Sequence, residues 1–364
     1  MTRIALCLPG GGAMGALYQI GALAAIEDAV EGFDANSFDV YVGGSGGASL
    51  AAALAAGLPV QRLYRAFLDP ADPYFGLERK HLLRIDLGEW RRTLLSALSA
   101  IGLAAGNALA REPRAIPSAL FQQLDGLYDS LPAGLFTLEG YERFLEEFFV
   151  RRGVPNVFSA MPRALRVVAH DLDSGVPVCF GGAGFDTVPV ARACIASMAV
   201  PPFFSPVRIG DRHYINPGAG QLSHLDVAVE EGANVLVVVH SMVPVSVETV
   251  PTGHGHRGSL RDKGMMWVLN QAIRIGMQRL IDEASRRIAA RGDIALLRIE
   301  PRPEDGILFM YNPASFEARR RLLEHAYTST RLELGRRFAE SDPALGRAGF
   351  RPKQPSSRSV PPPP

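Results

Sequence analysis

The sequence predicts a three-layer α/β domain with a mainly parallel central sheet and a helical insertion. Three observations point there. Apolar runs of strand length alternate with helix-spaced apolar residues over roughly the first 60 residues, which implies parallel strands covered on both faces. Residues 69–162 break the alternation, being rich in helix formers and aromatics with no good strand. After Arg163 the alternation returns. With 47% apolar and 21% charged residues in 364, the chain can bury a large core, and global disorder is excluded.

Residues 4–8 form a short apolar run closed by Pro9 and Gly10, the pattern of a buried strand. Leu17, Ile20, Leu23, Ile26 and Val30 recur every three or four residues and mark an amphipathic helix, with Gly32 past its end. Residues 38–42 read as a second strand and 48–56 as a small-residue helix stopped by Gly57. In the middle region, residues 93–110 are uncharged and flanked by Arg91, Arg92 and Arg111. Their serines, glycines and asparagine lower the hydrophobicity, so a buried helix ranks first, a lid or membrane-surface segment second, and a spanning helix last.

Beyond Arg163, residues 165–169 and 176–180 read as a hairpin, 191–198 as a helix and 234–239 as a central strand. Residues 245–261 should be a mobile loop, and helices should follow near 267–290 and 315–339. The expected organisation is one catalytic-type domain over residues 1–340. It has an insertion at about 69–162, C-terminal helices at about 265–340 and a disordered proline-rich tail over 351–364.

Composition narrows the function. Thirty-eight basic against 37 acidic side chains, net +1, exclude a nucleic-acid binder that works through bulk electrostatics. Cys7, Cys179 and Cys194 are odd in number and widely spaced, which argues against a disulfide framework or zinc site and for a reducing compartment. The N-terminus reads as lacking a signal peptide, so a cytoplasmic protein is expected, with a peripheral membrane association left open.

Two glycine motifs carry the chemistry. Gly10-Gly11-Gly12-Ala13-Met14-Gly15 fits G-x-G-x-x-G between a strand and a helix, where backbone N–H groups and the helix dipole favour an anion. A dinucleotide pyrophosphate would suit it equally, with Asp34 or Asp39 as the acidic partner. Gly43-Gly44-Ser45-Gly46-Gly47 decides between the readings. It is G-x-S-x-G at a strand-to-helix turn, the strained elbow that presents a serine hydroxyl. A serine nucleophile and an upstream row of amide donors are what acyl transfer requires.

With these motifs the chain resembles the patatin-like phospholipases, a family of lipid acyl hydrolases, from Arg3 to about Ser241. The resemblance implies Ser45 as nucleophile and backbone amides around Gly11, Gly12 and Ala13 as the oxyanion hole. It also implies a lipid ester or membrane-surface substrate, with no metal or organic cofactor. The family's third motif, Asp-Gly-Gly or Asp-Gly-Ala, supplies an aspartate that activates the serine. Here that position reads Ile215-Asn216-Pro217-Gly218, so Asn216 stands where the aspartate belongs, and Met14 replaces the basic residue usual in the glycine loop.

An amide can hold a hydroxyl but cannot take its proton. Deamidation at Asn216 is disfavoured because Pro217 offers no backbone N–H. An attenuated hydrolase, a catalytically reduced member that binds lipid or a partner protein, and a relocated base all stay open. Asp211, His213, His224 and Asp226 are the candidate bases. The Ser-x-x-Asp spacing of Asp226 favours a helix-start role, and an extended 212–216 turns His213 away from Asn216. His170 and His240 follow strands, where core or rim roles are commoner.

Overall fold

A computed structural model describes residues 2–78, 81, 84–95, 98–99, 131–219, 224–246, 259–305, 315–340 and 343–353. At its centre is β1 (Ile4–Leu8), buried from Ala5 onward. Leu6 and Leu8 enter one apolar core while Ala5 and Cys7 enter another, the two-residue period of a strand covered on both faces. The chain continues through α1 (Gly12–Ala29), β2 (Val30–Glu31), β3 (Val40–Gly43), α2 (Gly46–Ala55) and α3 (Val60–Leu68). A short antiparallel pair, β4 (Arg84–Ile85) and β5 (Phe136–Thr137), precedes α4 (Glu139–Arg152). Next come β6 (Ala164–Asp171), β7 (Pro177–Phe180), α5 (Val190–Met198), β8 (Val207–Ile209), β9 (Arg212–Ile215), α6 (His224–Glu230) and β10 (Val235–Val239). The chain closes with α7 (Met265–Arg291), β11 (Ala295–Ile299), α8 (Phe316–Glu340) and β12 (Arg351–Pro352).

The central sheet has eight strands among the described residues, in the order β11-β10-β1-β3-β6-β9-β8, with β7 also on β6. The first five run parallel, and β7 and β9 meet β6 antiparallel. Helices α1, α2, α4, α5 and α8 cover one face, and α6 and α7 cover the other. The predicted mixed α/β fold with a mainly parallel sheet is therefore the observed one.

Four details differ from expectation. Strand β10 lies next to the sheet edge rather than at its centre, because β11 pairs on its far side. Helix α1 is not amphipathic: α8 covers its outer face, and Gly21 admits the Leu323 carbonyl so closely that a Cβ there would meet it at 2.5 Å. Part of the expected insertion belongs to the main core, since Phe144, Phe148 and Phe149 of α4 are buried in it. Of the uncharged segment, residues 93–95 and 98–99 are helical and the rest lies outside the described residues. The tail is not free from Arg351: β12 pairs with β2, and the Lys353 N–H donates to the Ala29 carbonyl. Residues 354–364, and 247–258 of the expected loop, lie outside the described residues.

Candidate active site

Strands β1 and β3 end side by side, with Leu8 opposite Gly43, and each turns directly into a helix. Ser45, between β3 and α2, has φ 52° and ψ −130° and is the one non-glycine residue with positive φ among those described. Such a conformation costs about 1–3 kcal/mol and persists only where the surroundings hold it. Here the Ser45 N–H donates to Ser197 Oγ at 2.8 Å, and that hydroxyl donates to the Val168 carbonyl at 2.6 Å. The neighbouring glycines are there because backbone crowds them. A Cβ on Gly46 would come within 2.2 Å of the Gly12 carbonyl oxygen, and one on Gly47 within 2.2 Å of that of Leu8.

The glycine loop and the elbow thus touch. A Cβ on Gly10 would stand 2.7 Å from Ser45 Cβ and 3.5 Å from its Oγ. Gly11 caps α1 with φ 146°, and Gly12 opens the helix with φ 61°. First-turn N–H groups have no acceptor within their own helix and sit at its positive end. Gly12 and Ala13 border the same cavity as Ser45.

Four side chains that the sequence reading passed over support this loop. Buried Ser241 donates from Oγ to the Gly10 carbonyl at 2.9 Å, and a Cβ on Gly11 or Gly15 would approach that Oγ within 2.3 or 2.6 Å. Buried Arg274 donates to the Ser241 and Val243 carbonyls at 3.2 and 2.9 Å. Desolvation lowers its pKa to about 10, so it remains charged at neutral pH. The Gln19 amide, fully buried, donates to the Pro9 and Val239 carbonyls. Ser197 is the fourth. Their one sequence signal is a polar residue inside an apolar run, as in Ala196-Ser197-Met198.

Asn216 directly follows β9 and reaches the elbow through Ser197. Its Nδ2 donates to the Ser197 carbonyl at 2.6 Å, while its Oδ1 accepts the Gly218 N–H at 2.9 Å. Both ends of the amide therefore hold backbone. Of the candidate bases, Asp226 faces Arg287 in a two-oxygen ion pair at 3.0 and 2.9 Å. His213 is half exposed, 3.8 Å from Asp173, and Asp211 is exposed on the β8–β9 turn. His224 is the candidate that the fold brings to the elbow: a Cβ on Gly44 would lie 2.3 Å from its Nε2. It is fully buried, and desolvation lowers its pKa to about 4, so it is neutral at physiological pH. His240, bonded to Gln278, is likewise pushed down to about 3, and burial also lowers His170. Among the described residues, no group of three His, Cys, Asp or Glu could hold a metal ion.

From Ser45 an apolar cavity of about 290 Å³ runs between α1 and α2 toward α3 and α4. Leu17, Leu50, Leu63 and Phe148 are among its walls. The site is thus a strained serine turn at the carboxyl ends of parallel strands, beside a helix N-terminus and opening on an apolar cavity.

A family model described as patatin-like phospholipase matches residues 6–220. The chain belongs to the patatin-like phospholipase family. Among solved structures, this family member is similar to VipD from Legionella pneumophila, at 14% identity over 92% of this chain and 67% of that one, TM-score 0.37. It is also similar to the type III effector ExoU, at 18% identity over 93% and 54%, TM-score 0.34. Full-length ExoU in complex with SpcU from Pseudomonas aeruginosa matches at 16% over 94% and 53%, TM-score 0.36. The chain spans about half the length of the ExoU chains it matches. No curated protein matches it.

Proposed function

We propose that this patatin-like protein is a serine acyl hydrolase acting on lipid esters, slowed by the loss of its general base. The observation that carries the reading is Ser45: a strained, fully supported serine elbow against a glycine loop, with an apolar cavity beside it. The Ser45 Oγ attacks the ester carbonyl, its proton passing to water in place of a protein base, and the N–H groups around Gly11, Gly12 and Ala13 receive the oxyanion. The alcohol then leaves with a proton, and water releases the acid from Ser45. Charge on that oxygen is favoured by the positive end of α1. The cavity takes the acyl chain.

Asn216 stands where an aspartate would take the serine proton. Its amide cannot, so turnover should be about 10²- to 10⁴-fold below that of a site with a positioned base. The second reading, a lipid-binding member with little or no turnover, is favoured by the Asn216 amide being engaged at both ends. Labelling with a fluorophosphonate and hydrolysis of a short nitrophenyl ester, compared between wild type and Ser45→Ala, test the reading. Slow wild-type turnover abolished in Ser45→Ala supports it. If Ser45 resists the label and no ester is turned over, even by an Asn216→Asp, Pro217→Gly variant, the binding reading replaces it.

A lipid substrate also suits the outer surface. Leu87, Leu94 and Leu95 are 75%, 60% and 60% exposed on a helical stretch, residues 87–95, that also carries Arg91 and Arg92. Leucines beside arginines match an interface of acyl chains and anionic headgroups. Among the described residues, no helix is long and apolar enough to cross a membrane. Liposome co-sedimentation of wild type and a variant lacking residues 93–110 tests a surface role. Equal sedimentation of two folded proteins would leave the segment as scaffold.

A further inference from the structure

Two charged side chains border the otherwise apolar cavity: Glu78, exposed at its rim, and Arg319 of α8. Arg319 reaches the cavity from α8, not from the helices that carry the elbow and the glycine loop. Helix α8 crosses α1 where Gly21 meets the Leu323 carbonyl, and Arg319 is one turn before Leu323. Gly21 is nine residues beyond Gly12, which at the helical rise is about 14 Å along α1 from the oxyanion loop. The same cavity is therefore bordered by a serine hydroxyl and by a guanidinium carried on a different helix.

That guanidinium has no carboxylate beside it among the described residues. Several half-buried arginines do face carboxylates, Arg166 with Glu231, Arg192 with Glu142, Arg298 with Asp282 and Glu300, while Arg152 donates to the Tyr74 carbonyl and lies over its ring. Arg319 instead has its Nε buried with no hydrogen-bond partner among the described residues, and its Cζ sits 5.9 Å from the Phe316 ring. Desolvation alone lowers its pKa, with no acidic group offsetting it. A charge against apolar walls without a counter-ion is costly, and the same walls strengthen its attraction for an arriving anion.

We propose that Arg319 receives a carboxylate at the far end of a bound acyl chain, so that the site is built for esters of long-chain dicarboxylic acids. This rests on the hydrolase reading for its chemistry, with Ser45 at the ester and Arg319 at the free acid. A planar guanidinium offers a carboxylate two parallel donors, which a neutral alkyl terminus cannot use. Substrates would be discriminated by the end of the chain as well as by its length.

The test separates this proposal from the hydrolase reading. In Ser45→Ala protein, the binding of a dicarboxylic acid monomethyl ester is measured beside that of the neutral methyl ester of equal chain length. The acidic ester should bind roughly tenfold or more tightly. Arg319→Leu should remove the preference and Arg319→Lys keep part of it, with thermal unfolding confirming that both variants fold. Equal affinities for the two esters overturn the proposal. So does tight, Arg319-dependent binding of a simple fatty acid together with no preference between the esters, because Arg319 would then take the carboxylate of a free acid lying the other way round. In the Ser45-intact protein, the nitrophenyl half-ester should be hydrolysed faster than its neutral counterpart by a similar factor. A binding preference without hydrolysis of either would sink the hydrolase reading and leave the Arg319 site standing.

Discussion

At the scale of single residues, Ser45 depends on neighbours that are small for a reason. Gly15 faces the Ser241 hydroxyl, where an added Cβ would stand at 2.6 Å. Gly15→Ala is therefore expected to cost about 1–3 kcal/mol through overpacking and to slow Ser45 labelling by shifting the loop. Ser241→Ala in that background should recover part of both losses, since it removes the offending oxygen. Denaturant titration and fluorophosphonate labelling of the three variants would decide it; no recovery would place the strain elsewhere. At Asn216, an aspartate would set a carboxylate oxygen against the Ser197 carbonyl, which the amide nitrogen now meets at 2.6 Å. Asn216→Asp alone should thus gain little nitrophenyl esterase activity. The Asn216→Asp, Pro217→Gly double variant, whose backbone can turn the carboxylate toward Ser45, should gain up to about 10²- to 10⁴-fold. A single variant as active as the double would show that Pro217 imposes no restraint.

At the scale of elements, α2 presents Leu50 and Ala53 to the cavity about one turn apart, so its surface sets how far a chain can enter. Ala53→Phe should leave short esters unaffected and lower kcat/KM for long-chain esters by roughly tenfold or more, as lost apolar complementarity does. An equal effect on both lengths would remove α2 from the acyl wall. The start of helix α6 and the residue just past strand β10 make stability depend on pH. Burial holds His224 and His240 near pKa 4 and 3, below the ordinary 6.5, so both are neutral in the folded chain. The unfolded chain takes up these protons below pH 6.5, before the folded chain can. Stability is therefore complete above about pH 6.5 and falls as pH drops toward 4, by up to about 1.4 kcal/mol per pH unit for each histidine. Denaturant midpoints at pH 7 and pH 5 should differ accordingly, and His224→Gln should flatten the difference. An unchanged slope in that variant would mean that His224 does not titrate in this window.

At the scale of the whole molecule, two cores flank one sheet, and the chain's end seals the larger of them. Leu345 and Phe350 are buried there, Phe350 lying 5.4 Å from the Phe33 ring and 6.2 Å from that of Phe38. Strand β12 then binds β2, and Lys353 Nζ donates to the Glu27 and Asp28 carbonyls. Deleting residues 345–364 should lower stability by about 3–6 kcal/mol more than deleting 354–364, the worth of two buried side chains. Thermal or denaturant unfolding of the two truncations measures it, and matching stabilities would show that the closing segment contributes no core. These contacts span more than three hundred residues of sequence, so closing them is a late and non-local event in folding.

The sequence by itself determined the alternating α/β plan, both glycine turns and the serine between strand and helix. Each is a local pattern: strand and helix periods repeat within a few residues, and a positive-φ turn demands small neighbours in sequence. Only the tertiary structure decided what those patterns meet. Ser197 and Ser241 support the elbow and loop across 152 and 231 residues of sequence, which no spacing reveals. Helix α1 lost its amphipathic reading because a helix from the far end of the chain covers its outer face. Among the suggested bases, packing set Asp226 against Arg287 and brought His224 to Gly44, a difference decided by which faces α6 turned to α7 and to the sheet. The guanidinium on the cavity wall belongs to the same class: Arg319 reads as one more charged residue on a polar helix until α8 is laid across α1.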